Sequence, residues 1–207
     1  METRCAWANS SELMREYHDK EWCVPSNNDQ YLFEMLVLEG AQAGLSWSIV
    51  LKKREAYRKA FHHFDLEYCA NLTEIEMENI RTNTEVVKHL LKIKSVKSNA
   101  MAIMEIQREY GSFAKFLWSY VDGKPIISNW QYDSQIPAET DLSKKVSKDL
   151  KKRGFKFVGP VTIYSYLQAI GVVNDHITSC AFHGNKGKHG DGSRPLKKSI
   201  FLETRFE

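Results

Sequence analysis

The sequence has no long apolar run. No stretch approaches about 18 apolar residues without a charge, so no segment is expected to span a membrane. The opening residues, Met1-Glu2-Thr3-Arg4-Cys5, lack an apolar signal region, which gives the expectation of a cytoplasmic, intracellular chain. Cysteine is scarce. In that setting Cys5, Cys23, Cys69 and Cys180 read as thiols or metal ligands rather than disulfides. Net charge is small as well: +3 over 207 residues argues for no partner by itself. The chain is not short of apolar residues. With 43% apolar and 27% charged residues, a disordered, collagen-like or fibrous protein is excluded. The length suits one large domain or two small lobes.

Where the charge sits says more than its sum. Residues 186–207 hold six basic and three acidic residues, so the whole excess lies in the tail and the body is neutral. Within that neutral body, residues 144–156 carry seven basic residues (Lys144, Lys145, Lys148, Lys151, Lys152, Arg153, Lys156) against Asp149 alone. Basicity this local points to a contact surface.

The patterning is mostly helical, with no convincing strands and no internal repeat. Helices are expected over 29–42, with Asp29 as N-cap, and over 46–60. Thr73 and Glu76 form a capping box for a short helix over 73–79. Apolar spacing from Val87 to Ile106 predicts one long helix over 84–109. Another is expected over 112–121, ending at Asp122-Gly123, and residues 122–140 read as loop. A cationic helix over 141–154, a helix over 160–172 and a short one over 174–181 follow. The tail from His183 to Pro195 reads as flexible, and residues 196–207 as a short helix or strand.

Three constellations could carry chemistry. The first is His176-x-x-x-Cys180, which on a helix would place imidazole and thiol about 6 Å apart on one face. With Cys5 and His18 it could complete a closed, structural zinc site. Spacing alone favours chance pairing over a metal site, and Cys23 and Cys69 read as small core hydrophobes. The second is Lys151-Lys152-Arg153-Gly154-Phe155-Lys156-Phe157-Val158-Gly159-Pro160. Gly154 suits a left-handed helix stop, Gly159 a close backbone approach and Pro160 a helix start. Free amides at that start, with lysines around them, suit a phosphate; an ordinary cationic helix turn is the alternative. The third is Glu39, which falls on an apolar face with Leu32, Met35, Leu36 and Ala43, whereas Glu34 is expected to point to water. A buried carboxylate is costly unless it is paired or functional. A core Arg or Lys partner would explain it. So would a flat cationic ring received among Trp47, Trp7, Tyr17 and Trp22, although core packing accounts for any one of these aromatics.

These residues fall within longer motifs: Tyr17-His18-Asp19-x-Glu21-Trp22, Leu38-Glu39-Gly40-x-Gln42-Ala43-Gly44-Leu45-Ser46-Trp47, Leu51-Lys52-Lys53-Arg54-Glu55-x-Tyr57, residues 152–160, and Gln168-Ala169-x-Gly171-x-Val173-Asn174-Asp175-His176. In this order they resemble the 3-methyladenine DNA glycosylase I family, over nearly the whole chain to about residue 183. The resemblance implies an all-α, two-lobed helix–hairpin–helix glycosylase fold over residues 1–183, with a basic tail over 184–207. It implies structural zinc on Cys5, His18, His176 and Cys180. It implies Glu39 and Tyr17 as catalytic residues, Trp47, Trp7 and Trp22 at the base, and DNA contacts from Lys152, Arg153, Gly154, Lys156 and Gly159. The implied partners are double-stranded DNA containing 3-methyladenine and the free base as product, with no membrane and a monomeric chain. No acid precedes Asp175 after the hairpin, and no lysine follows it in the helix, so a monofunctional hydrolase is expected. The alternatives are a catalytically impaired alkylated-DNA binding protein and a zinc-stapled DNA-binding domain without a base pocket. Three departures stand out. Cys23 replaces the usual Gly, where it could alter the pocket mouth or compete near the metal. Leu90 follows His89 where a basic residue is expected. The tail is longer and more basic than is usual in the family.

Overall fold

A computed structural model describes residues 3–185. The expectations for residues 186–207, including the short element over 196–207, lie outside the described residues. Nine α-helices are found among those described: α1 Glu12–Lys20, α2 Asp29–Gln42, α3 Trp47–Ala60, α4 Leu66–Asn71, α5 Glu74–Asn83, α6 Leu90–Tyr110, α7 Phe113–Trp118, α8 Asp141–Lys152 and α9 Pro160–Ala169.

The centre is α2, in which every residue from Leu32 to Ala41 is buried. A helix apolar on all sides must be covered on all sides, and α3, α6, α7 and α9 pack around it. Its N-cap is Asn28, whose Oδ1 accepts the Tyr31 N–H at 2.9 Å. Asp29, expected in that role, instead caps a different helix. Its carboxylate accepts the N–H groups of Phe113 and Ala114, both at 2.8 Å, at the positive end of α7. The Thr73–Glu76 capping box forms as expected.

Three sequence expectations need correction. The long helix starts at Leu90 rather than at residue 84, because the approach to it is held elsewhere. The Val87 N–H bonds the Tyr57 hydroxyl, and Lys53 Nζ bonds the Glu85 carbonyl. The helix expected over 160–172 ends at Ala169. Gly171 takes φ +76 there, and a Cβ would fall 2.3 Å from Pro25 N, so only glycine permits the chain crossing. The helix expected over 174–181 is absent. Val173–Asn174 (β2) instead pairs in parallel with Ile126–Ile127 (β1), inside the region read as loop. The Ser128 N–H then bonds the Asn174 carbonyl, and the Thr178 N–H bonds that of Trp130.

Candidate active site and metal centre

Adjacent residues on α1 face two different clusters. Tyr17 turns toward Trp47 at the start of α3, with ring centroids 5.3 Å apart, and lies 6.4 Å from Trp7. On the central helix, Glu39 is 4% exposed, and its Oε2 has no hydrogen-bond partner. Burial pushes its carboxyl up to about 8. Burial, and then the Glu39 charge, raise the Tyr17 hydroxyl well above the ordinary phenol range. The Trp47 indole N–H is buried and also unpartnered. This is a desolvated acceptor and a free donor beside aromatic faces.

A core cation exists but does not serve Glu39. Arg54 bonds Glu34 at 2.5 Å and Glu21 at 2.8 Å, and Arg58 Nε joins Glu34 at 2.9 Å. Glu34, expected to face water, is therefore buried in an ion network. Its partner stands twenty positions away on another helix, a relation the sequence does not advertise.

His18 turns the other way. Its Nε2 lies 3.6 Å from Cys180 Sγ, and His176 Nδ1 lies 3.5 Å from Cys180 Sγ and 3.8 Å from Cys5 Sγ. All four ligand atoms are buried and within 4.8 Å of one another. Tetrahedral zinc, with bonds of about 2.3 Å to sulfur and about 2.1 Å to nitrogen, spaces sulfur and nitrogen about 3.6 Å apart. The donor set therefore fits such an ion. The ligands also have outer support: Asp19 accepts from His18 Nδ1 at 2.8 Å and from Arg4 at 2.7–2.9 Å. The Cys5 hydrogen bond and then those of His176 and His18 pull the Cys180 thiol well below the ordinary thiol range, while the same bond holds Cys5 high. His176 and Cys180 meet here across a turn, not along a helix.

Trp22 belongs to this second cluster, edge-on to His176 at 4.6 Å and stacked near His18 at 5.9 Å. Trp7 stands between the two clusters, 5.2 Å from the His18 ring. Asp175, next to His176, is fully buried. It accepts from Trp130 at 2.9 Å, from Gln168 at 2.6 Å and from the Tyr164 hydroxyl. That saturation suits an anchor. Cys23 is buried with φ +61, a conformation that suits the glycine expected there. Its Sγ accepts the Asp175 N–H at 3.4 Å, and the sulfur is not one of the four ligand atoms.

The segment expected to form the helix–hairpin–helix comprises α8, residues 153–159 and α9. Gly154 stops α8 at φ +88, Gly159 precedes Pro160, and a Cβ on either glycine would meet nothing within 4 Å. Lys152 and Lys156 are exposed. Arg153, expected at DNA, makes contacts within the protein. It bonds Glu109 at 2.6 and 3.0 Å and lies over the rings of Tyr110 and Phe116, at 5.3 and 5.1 Å. Sequence reasoning missed Asn99, whose side chain bonds both backbone groups of Lys156. The available signal was one polar residue among Val96, Ala100 and Ile103 on a buried face.

A protein built this way is equipped to receive a flat, cationic ring close to a surface that attracts phosphates. The sequence pattern of the methyladenine glycosylase family matches residues 7–183. The DNA-3-methyladenine glycosylase 1 of Escherichia coli (strain K12) is 44% identical over 184 residues, covering 88% of this chain and 98% of the relative. A crystal structure of a 3-methyladenine DNA glycosylase I aligns at TM-score 0.85 and 48% identity, over 87% of this chain and all of that one. The Staphylococcus aureus 3-methyladenine DNA glycosylase I, solved to explain its recognition of 3-methyladenine, aligns at TM-score 0.84 and 39% identity, over 90% and 98% of the two chains. The chain belongs to the methyladenine glycosylase family.

Proposed function

We propose that this chain is a DNA repair hydrolase that excises 3-methyladenine from alkylated DNA and leaves an abasic site. The observation that carries the reading is the buried, unpaired Glu39 oxygen, whose charge acts on the Tyr17 hydroxyl, with Trp47 against the Tyr17 ring. Methylation at the third ring nitrogen leaves the base cationic. Breaking the glycosidic bond returns that electron pair to the ring, so the base departs neutral and needs no general acid. Water supplies the hydroxyl at the sugar carbon and loses a proton. The protein's task is to take the base out of the stack and hold it.

Glu39 accepts the exocyclic amino hydrogen bond and favours the cation, Tyr17 bonds a ring edge, and Trp47 stacks. Trp7 forms an outer wall, and Trp22 supports the metal ligands rather than the base. Lys152, Lys156 and the open backbone at Gly154 and Gly159 grip the phosphates, while Arg153 braces the hairpin. No lysine occurs on α9, which suits hydrolysis without a lyase step. Cys5, His18, His176 and Cys180 would hold one structural zinc with no open position, tying the N-terminal segment to the chain after β2. We read residues 1–183 as one glycosylase domain of two helical lobes in the helix–hairpin–helix superfamily, and residues 184–207 as a separate basic tail. The chain is further proposed to act as a cytoplasmic monomer on double-stranded DNA away from membranes. No helix among the described residues is long and apolar enough to cross one.

The test is to identify the free base released from alkylated duplex. Release of 3-methyladenine is expected. Tight binding without release would instead make the chain an impaired damage-binding protein.

A further inference from the structure

One face of α6 touches both halves of the proposed site. Lys92 and Asn99 stand seven residues apart on it, hence on one side. Lys92 Nζ donates to the carbonyls of Ala41 at 2.9 Å and Ala43 at 2.7 Å. These groups end α2 and have no helical N–H to accept, and a cation there also meets the negative end of the helix. Beyond Ala43 the chain turns at Gly44, with φ +80, and enters α3 at Trp47. Lys92 therefore pins the segment that separates Glu39 from Trp47.

Asn99, 3% exposed, pins the hairpin. Its Oδ1 accepts the Lys156 N–H at 2.8 Å, and its Nδ2 donates to the Lys156 carbonyl at 3.2 Å. One carboxamide thus satisfies both backbone groups of a hairpin residue, as a neighbouring strand would. The two pinned segments also touch. A Cβ on Gly40 would sit 3.3 Å from that of Phe157, and His89, the N-cap of α6, lies edge-on to the same Phe157 ring at 6.1 Å.

We propose that Lys92 and Asn99 are positioning residues that hold the phosphate-gripping hairpin and the base-receiving segment at a fixed separation. A duplex gripped at Lys156 then presents its extruded base at Trp47. This rests on the glycosylase reading above.

The test compares Lys92→Met and Asn99→Ala in two titrations. One is quenching of tryptophan fluorescence by free 3-methyladenine; the other is binding of an undamaged duplex across a salt series. Lys92→Met is expected to weaken the free base about tenfold and leave the duplex unchanged. Asn99→Ala is expected to do the reverse, weakening the duplex about tenfold and flattening its salt slope. Both should slow single-turnover excision. Lys92→Gln and Asn99→Asp replace either variant that fails to fold. Parallel loss of both affinities in step with thermal stability would overturn the proposal, and so would two unchanged titrations. If the wild type releases no base, the glycosylase reading falls, while these titrations still report on α6.

Discussion

Tyr17 and His18 are neighbours in sequence but belong to clusters built on opposite terms. Around His18 the four ligand atoms all have partners, through three contacts of 3.5–3.8 Å, and Asp19 behind them is held by His18 and Arg4. Around Tyr17, Glu39 Oε2 and Trp47 Nε1 are buried with none. Unsatisfied buried polar atoms cost stability. The first cluster strengthens the fold, and the second draws on it to keep a binding surface ready.

The largest effect should come from breaking the satisfied side. Cys180→Ser is expected to abolish a stoichiometric zinc content and to lower stability by at least about 3 kcal/mol. Metal analysis with chemical denaturation checks this. A metal-free wild type equal in stability to the variant would remove the distinction between the clusters.

On the unsatisfied side the effect is one of pH. With its carboxyl pushed up to about 8, Glu39 is mostly protonated at neutral pH and becomes an anion as pH rises. The methylated base in DNA keeps its positive charge, so kcat/KM should climb between pH 6 and 8, by at most about tenfold per unit, and then level off. The same profile should be flat in Glu39→Gln. A wild-type profile that falls with pH in this window would contradict the assignment.

The smallest effects concern the hairpin, which divides in the same way between satisfied and free groups. Arg153→Ala should cost about 1 kcal/mol of stability through its lost ion pair and ring stacking, and leave the salt slope of duplex binding intact. Lys156→Ala should lower that slope by about one and leave stability within about 0.5 kcal/mol. Exchange of the two outcomes would return Arg153 to the DNA surface.

What could be read from the sequence was local. The helix around Glu39, the Thr73–Glu76 box, and the Gly154 and Pro160 boundaries follow from caps, glycines and apolar spacing within a few residues. The four candidate ligands were legible because residue types with few other uses recur in two pairs, even though the helix expected beneath His176 and Cys180 does not form. What stayed hidden depends on partners far along the chain. Glu34 is buried because Arg54 meets it from α3. Asp29 caps α7 rather than its own helix. The β1–β2 pair joins residues nearly fifty apart. Trp22, expected at the base, packs against His176 and His18, just past the end of α1, which turns Tyr17 and His18 to different sides.

The central claim is that the Glu39 site trades stability for binding, and one variant tests it in two readouts. A carboxyl raised from 4.5 to about 8 by folding destabilises the native state increasingly as pH rises through that window, and the cost is full above it. Glu39→Gln should therefore raise stability at pH 8 by about 2–4 kcal/mol, less at pH 5, while base release from alkylated DNA falls about a hundredfold. A variant that is less stable than the wild type at pH 8, or that still releases the base at the wild-type rate, would contradict the account.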